Sequence, residues 1–171
     1  MGDALKISAS NPRVRELGAW MTKARALLPA NKIHGVDLSQ GLKLSHLNTI
    51  KGNLFEKMVR AELGILNAGK NGFTSLTNRK TAIADLPLDH RFGVTDIKNV
   101  RYLTNSGQLK TLADAAQTAK MPFNLIVSPN AQRISAKLYE KIRFTGGKIH
   151  QYNPMTGTFS TLRVVEGRLV R

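Results

Sequence analysis

The run Phe123-Asn124-Leu125-Ile126-Val127 constrains the fold more than any other stretch of this chain. A strand sends successive side chains to opposite faces, so a nearly continuous apolar run must be covered on both. Strands of that kind lie inside α/β layers. The flanks agree, because an Ala-rich helical pattern over residues 107–120 precedes the run. A second helical pattern, 131–144, follows it, with Gly146-Gly147 just past its end.

The rest of the chain extends this pattern. Asn11-Pro12 caps and starts a helix to about Leu28, stopped at Pro29. Residues 31–43 contain Gly35 and Gly41 and read as loop. A longer helix is predicted over 47–66, where Ile50, Leu54, Met58, Ala61 and Ile65 form one stripe, widened by Phe55, Val59 and Leu66. Three short strands follow as a meander, at 73–76, 81–86 and 92–101, the last two joined by a turn at Pro87-Leu88-Asp89-His90-Arg91. A strand at 148–152 and a terminal hairpin, 159–165 with 168–170, complete the list. This order predicts an α/β fold, a mixed central sheet flanked by helices. Residues 1–46 are expected to form an N-terminal helical extension or linker, and 47–171 the main domain.

Charge narrows the function. Lys and Arg number 26 against 11 Asp and Glu, a net +15, and the basic residues are spread from Arg13 to Arg171. The excess therefore belongs to the folded body and suits a polyanionic partner, such as a nucleic acid or an acidic protein. A membrane-surface role needs a basic amphipathic helix with bulky anchors; only 11–28, with Trp20, approaches one, so no membrane partner is expected. Cysteine is absent, which excludes disulfides, thiolate metal sites and cysteine nucleophiles. No segment has the length and apolarity of a membrane span, and Met1-Gly2-Asp3 opens no signal-peptide pattern.

The stretch Gly93 to Val100, GVTDIKNV, carries the chemistry. In a strand Asp96 and Lys98 share a face. They are either an ion pair on a wetted sheet face or half of a metal-dependent phosphodiesterase site. The element order resembles the core of PD-(D/E)xK nucleases, in which a helix carrying a Glu precedes acids on the second and third strands. Glu56, Asp85, Asp96 and Lys98 occur in that order, and Gln108 opens the next helix. Phosphodiester cleavage uses a cation held by carboxylates with positions left open for phosphate and water, and a Lys to stabilise developing charge.

Five runs make the resemblance more specific: Gly52-Asn53-Leu54-Phe55-Glu56, Asp96-Ile97-Lys98-Asn99-Val100, Ser106-Gly107-Gln108-Leu109, Met121-Pro122-Phe123-Asn124-Leu125 and Gly146-Gly147-Lys148-Ile149. Together, over roughly 51–150, they resemble the restriction-endonuclease-fold domains of polymorphic bacterial toxins. That resemblance implies a metal-dependent endonuclease, with DNA favoured over RNA. It implies secretion or delivery from the producing bacterium, action in the target-cell cytoplasm and an acidic immunity protein as partner. It places Mg²⁺ or Mn²⁺ on Asp85, Asp96 and Glu56, with Lys98 and Gln108 completing the catalytic set. The family commonly has Glu where this chain has Asp96, and Pro before the earlier acid where this chain has Ala84. Asp89 competes with Asp85 for that earlier position, but falls in the turn.

Arg79, Lys80, Arg91 and Arg101 are candidate phosphate contacts near the meander. Trp20 is expected as a packing anchor, and Tyr102 either stacks on a base or is buried. His34, His46, His90 and His150 show no metal-ligand spacing. Asp89-His90 is similar to the Asp-His pair of ββα-metal nucleases, without the Asn and His that should follow on a short helix. A non-catalytic basic module that only binds nucleic acid is the alternative of a different class.

Overall fold

The computed structural model describes residues 6–33 and 42–171, so most of the loop expected at 31–43, His34 included, lies outside the described residues. Internal contacts divide the chain into two units, Met1–Leu66 with Pro154–Gly157, and Asn67–Asn153 with Thr158–Arg171.

In the first unit β1 (Lys6–Ile7) pairs antiparallel with β2 (Leu42–Lys43). Helix α1 (Pro12–Leu27) starts as its sequence dictates: the Asn11 side chain accepts from the Arg13 N–H at 2.9 Å, and Pro12 fills the first turn. It ends at Leu28, held extended before Pro29. Helix α2 (Leu44–Glu62) begins three residues before the predicted start and stops four residues short of the predicted end. The stop has a local cause. Gly64 takes φ +72°, and the Gly64 and Ile65 N–H groups turn back to the carbonyls of Ala61 and Arg60. The two helices pack through Leu17, Trp20 and Met21 of α1 and Leu47, Phe55 and Met58 of α2. Trp20 is the expected anchor, its ring 5.7 Å from that of Phe55, with the Lys51 ammonium 4.6 Å above it. Lys51 is buried and paired to Glu16.

The second unit is the α/β body. Its elements in chain order are β3 (Asn71–Thr74), β4 (Thr81–Ala84), β5 (Val94–Lys98), β6 (Tyr102–Leu103), α3 (Gly107–Thr118) and β7 (Phe123–Val127). They continue with β8 (Arg133–Ile134), α4 (Ala136–Phe144), β9 (Ile149–Asn153), β10 (Thr158–Val165) and β11 (Arg168–Val170). A curled mixed sheet runs β5-β7-β9-β10-β11-β8-β6. The β5–β7, β7–β9 and β8–β6 pairs are parallel; those among β9, β10, β11 and β8 are antiparallel. Strand β7 is buried along its whole length, as its composition required. Phe123, Leu125 and Val127 join Leu112 of α3, Leu138 and Ile142 of α4, Ile149 and Leu162 in one core.

Two expectations need correcting. The meander is incomplete: β3 and β4 form a separate two-stranded sheet, and β5 takes β7 as its ladder partner. The predicted helix over 131–144 starts only at Ala136, because residues 133–134 are drawn into β8 between β6 and β11.

Gly147 fixes the approach of α4's exit to β7. A Cβ there would stand 1.8 Å from the Phe123 carbonyl oxygen and 2.6 Å from its carbon. Backbone cannot yield as a side-chain tip does, so Gly147→Ala is expected to destabilise the protein by about 2–4 kcal/mol. Urea unfolding followed by circular dichroism checks this; an unchanged midpoint would contradict it.

Candidate active site

Strand β5 stands at the end of the sheet order, with one ladder partner. Its other edge is filled by Asp85. The Asp85 N–H donates to the Thr95 carbonyl at 2.9 Å, and its carboxylate Oδ2 accepts from the Ile97 N–H at 2.8 Å. A side chain thus takes over where strand pairing would have continued, and the chain leaves through the turn at Pro87. The second carboxylate oxygen of Asp85 accepts from Lys70 Nζ at 2.8 Å.

Asp96 sits in the middle of β5 with no exposed surface. The wetted-face reading of the Asp96–Lys98 pair is therefore excluded, although the two do pair: Lys98 Nζ lies 2.7 Å from Asp96 Oδ2. Gln108, at the start of α3, donates from Nε2 to Asp96 Oδ1 at 2.9 Å and to the Ile83 carbonyl at 3.2 Å. Its Oε1 accepts from Lys98 Nζ at 3.4 Å. Buried Asp96 Oδ2 has the Lys98 ammonium as its ion-pair partner and no further hydrogen bond. Burial pushes the Asp96 carboxyl up to about 7; the Lys98 charge pulls against this, and the neighbouring Asp85 carboxyl adds to it.

Four predicted residues, Asp85, Asp96, Lys98 and Gln108, thus come together. Asp85 is buried against Asp96's strand, while Asp89 is exposed in the turn. Lys70 was missed. It lies in the Gly69-Lys70-Asn71-Gly72 run that closes the preceding helix pattern, and nothing local distinguishes it from a solvated loop lysine. Glu56 belongs to α2 in the first unit. There it lines a cavity of about 220 Å³ with Met21, Ile33, Ile50, Leu54 and Lys57. Among the described residues no three acidic or histidine side chains gather as a metal cluster.

The other candidates fall as follows. Arg79, Lys80, Arg91 and Arg101 are exposed; the Arg91 guanidinium lies 4.9 Å over the Phe92 ring, and Arg101 Nε donates to Gln132 Oε1 at 2.9 Å. Tyr102 is 53% exposed, so the burial alternative for it is excluded. His90 and His150 flank Phe92, at ring distances of 5.2 and 4.7 Å. Burial lowers both imidazole pKa values, helped by Arg91 at His90 and by Lys148 and then Arg91 at His150.

The family model for restriction endonuclease fold toxin 7 matches residues 53–138, from within α2 to within α4. The chain belongs to that family. No curated protein and no solved structure matches it. Membership of the toxin family places the domain in the restriction endonuclease fold and makes it a toxin domain, which implies a nuclease. No helix among the described residues is long and apolar enough to cross a membrane.

Enzymes of this fold typically use a divalent cation, and the cluster suits one. Two neighbouring carboxyls supply hard oxygen donors, and Asp96 Oδ2 is buried without a hydrogen bond. Burial raises the Asp96 pKa even with Lys98 beside it, and a bound cation would favour the ionised carboxylate.

The raised pKa has a measurable sign. An unfolded Asp titrates near 3.8 and the folded Asp96 near 7. Between these values the folded protein binds more protons than the unfolded chain, so this group's contribution to stability falls as pH rises, by at most about 1.4 kcal/mol per pH unit. In EDTA, Asp96→Asn should lack that slope and gain stability over wild type from pH 5 to pH 7.5. Paired urea titrations test this, and parallel pH profiles for the two proteins would contradict it.

Proposed function

We propose that this toxin domain is a metal-dependent endonuclease, with DNA as its favoured substrate. The nuclease domain is residues 47–171, preceded by an extension, 1–46. The observation that carries the reading is the meeting of the Asp85 and Asp96 carboxyls beside Lys98 and Gln108 on one edge of a buried sheet. A protein that only binds nucleic acid gains nothing by placing carboxylates where phosphates must come.

Asp85 and Asp96 would hold Mg²⁺ or Mn²⁺, which when bound polarises a phosphoryl oxygen and lowers the pKa of its water. Lys98, paired to Asp96 in the free protein, places a positive charge where negative charge builds on the phosphoryl oxygens. Gln108 ties the carboxylate of Asp96 to the Ile83 carbonyl of β4 and so fixes its rotamer. Lys70 and the Ile97 N–H do the same for the two oxygens of Asp85. These four contacts preorganise the pair, so little reorganisation is left for the reaction. The +15 charge of the body draws in the substrate and equally attracts an acidic immunity protein; release from a producing bacterium fits both.

The test is supercoiled plasmid incubated with the protein in Mg²⁺, in Mn²⁺ and in EDTA, beside RNA under the same conditions. Wild type is expected to cut DNA in either metal and not in EDTA. Asp96→Ala should lose at least about 10³-fold in rate and Lys98→Ala about 10²–10³-fold, both remaining folded. Cleavage of RNA alone would move the substrate but keep the site. Undiminished cutting by folded Asp96→Ala would remove the site assignment.

A further inference from the structure

The turn between β3 and β4 is built at a conformational cost that its sequence does not minimise. Arg79 has φ +54°, the left-handed region in which glycine or asparagine is at ease and a long side chain is not. Hydrogen bonds leave it little choice. The Ser75 N–H donates to the Lys80 carbonyl and the Arg79 N–H to the Ser75 carbonyl, each at 2.9 Å. The Asn78 N–H donates to Ser75 Oγ, and the Lys80 N–H to Asn78 Oδ1. Asn78 Nδ2 reaches Thr111 Oγ1 at 3.4 Å, which ties the turn to α3. Lys120 and Glu166 share the left-handed conformation, but they close a helix and a tight hairpin.

Arg79 differs from both in standing beside a groove that it does not itself line. Its neighbour Lys80 lines an open groove of about 420 Å³ with Thr81, Ile83, Gly107, Gln108 and Thr111. Among the described residues no acid lines that groove. Its inner wall is Gln108, the residue that holds Asp96. Gly107 presents no side chain there, and a Cβ at that position would meet nothing within 4 Å. Leu76 and Ile83 of the same hairpin are left 74% and 53% exposed. A basic hairpin tip, a groove lined without acids and the exposed Ile83 in that lining match a phosphodiester chain, with its charged backbone and its apolar sugar and base edges.

We infer that the β3–β4 hairpin is a nucleic-acid clamp: Arg79 and Lys80 grip the backbone of the strand that lies in this groove, next to the cluster at Asp96. The identity of the polyanion rests on the nuclease reading. The clamp itself rests on the strained, tethered tip and the groove. The strain also separates binding from folding. Gly at position 79 relieves the backbone while removing the guanidinium; Gln removes the guanidinium and keeps the strain.

The experiment measures fluorescence anisotropy of a short labelled DNA duplex, and of single-stranded DNA and RNA of the same sequence. Full-length wild type, Arg79→Gly and Arg79→Gln are compared in EDTA over a range of salt, beside their melting curves. Both variants are expected to bind at least one probe roughly 3- to 10-fold more weakly, with a salt slope smaller by about 0.9 for the lost ionic contact. Arg79→Gly should melt no lower than wild type, and up to about 2–4 °C higher. Unchanged affinity and slope would overturn the inference. So would weak binding accompanied by a lower melting point in Arg79→Gly, which would make the residue structural. If wild type binds none of the probes but captures an acidic polypeptide such as polyglutamate, the groove serves a protein and the inference fails. Because the readout is binding in EDTA, a protein that cuts nothing still tests the clamp, and a cutting protein with an intact Arg79→Gly affinity refutes the clamp alone.

Discussion

The burial of one carboxylate, that of Asp96, organises the polar cluster at the edge of the α/β sheet. An acid with no exposed surface must be paired, hydrogen-bonded or protonated. Here each demand recruits a different element. Strand β5 supplies Lys98 two residues on, α3 supplies Gln108, and the chain after β4 supplies Asp85. Helix α3, held on the sheet by its buried Leu109, Leu112, Ala113 and Ala116, presents Gln108 to this group, and β4 leaves β5 where Asp85 meets it. One of its oxygens still lacks a hydrogen bond. A fold that gathers this many polar partners around one buried carboxylate holds it in a fixed place.

The edge of β5 shows how the cluster is assembled. An edge strand invites pairing, and β4 begins to provide it with a single backbone bond from Asp85 to Thr95. The Asp85 side chain then accepts the next N–H, from Ile97, in place of a carbonyl. This substitution ends the ladder, satisfies the edge and delivers a second carboxyl to Asp96 in one move. On the far side, Phe123, Leu125 and Val127 of β7 pack with α3 and α4, so the strand that carries Asp96 and Lys98 rests on a closely filled core.

How much of this was legible in the sequence depended on whether the signal was local. The apolar run 123–127, the Asn11-Pro12 start of α1 and the Glu166-Gly167 turn are local, and each appears where the residues put it. Asp96 and Lys98 were legible as a same-face pair because strand periodicity alone brings them together. Gln108 and Asp85 were legible only through their order along the chain and the family resemblance, since both reach Asp96 across a turn. Lys70 carried no signal, because its contact with Asp85 depends on how a loop closes fifteen residues upstream. Strands β6 and β8 were missed for the same reason. Two-residue strands have no periodicity of their own and exist because a partner offers a ladder.

The proposed activity depends on Asp85 and Asp96 together forming a cation site. Anomalous diffraction from crystals soaked in Mn²⁺ addresses it most directly. A manganese peak is expected bonded to a carboxylate oxygen from each, at roughly 2.0–2.3 Å, with Lys98 displaced from Asp96 Oδ2. An Asp96–Lys98 pair that stays closed at saturating Mn²⁺, with manganese elsewhere or nowhere, would contradict it.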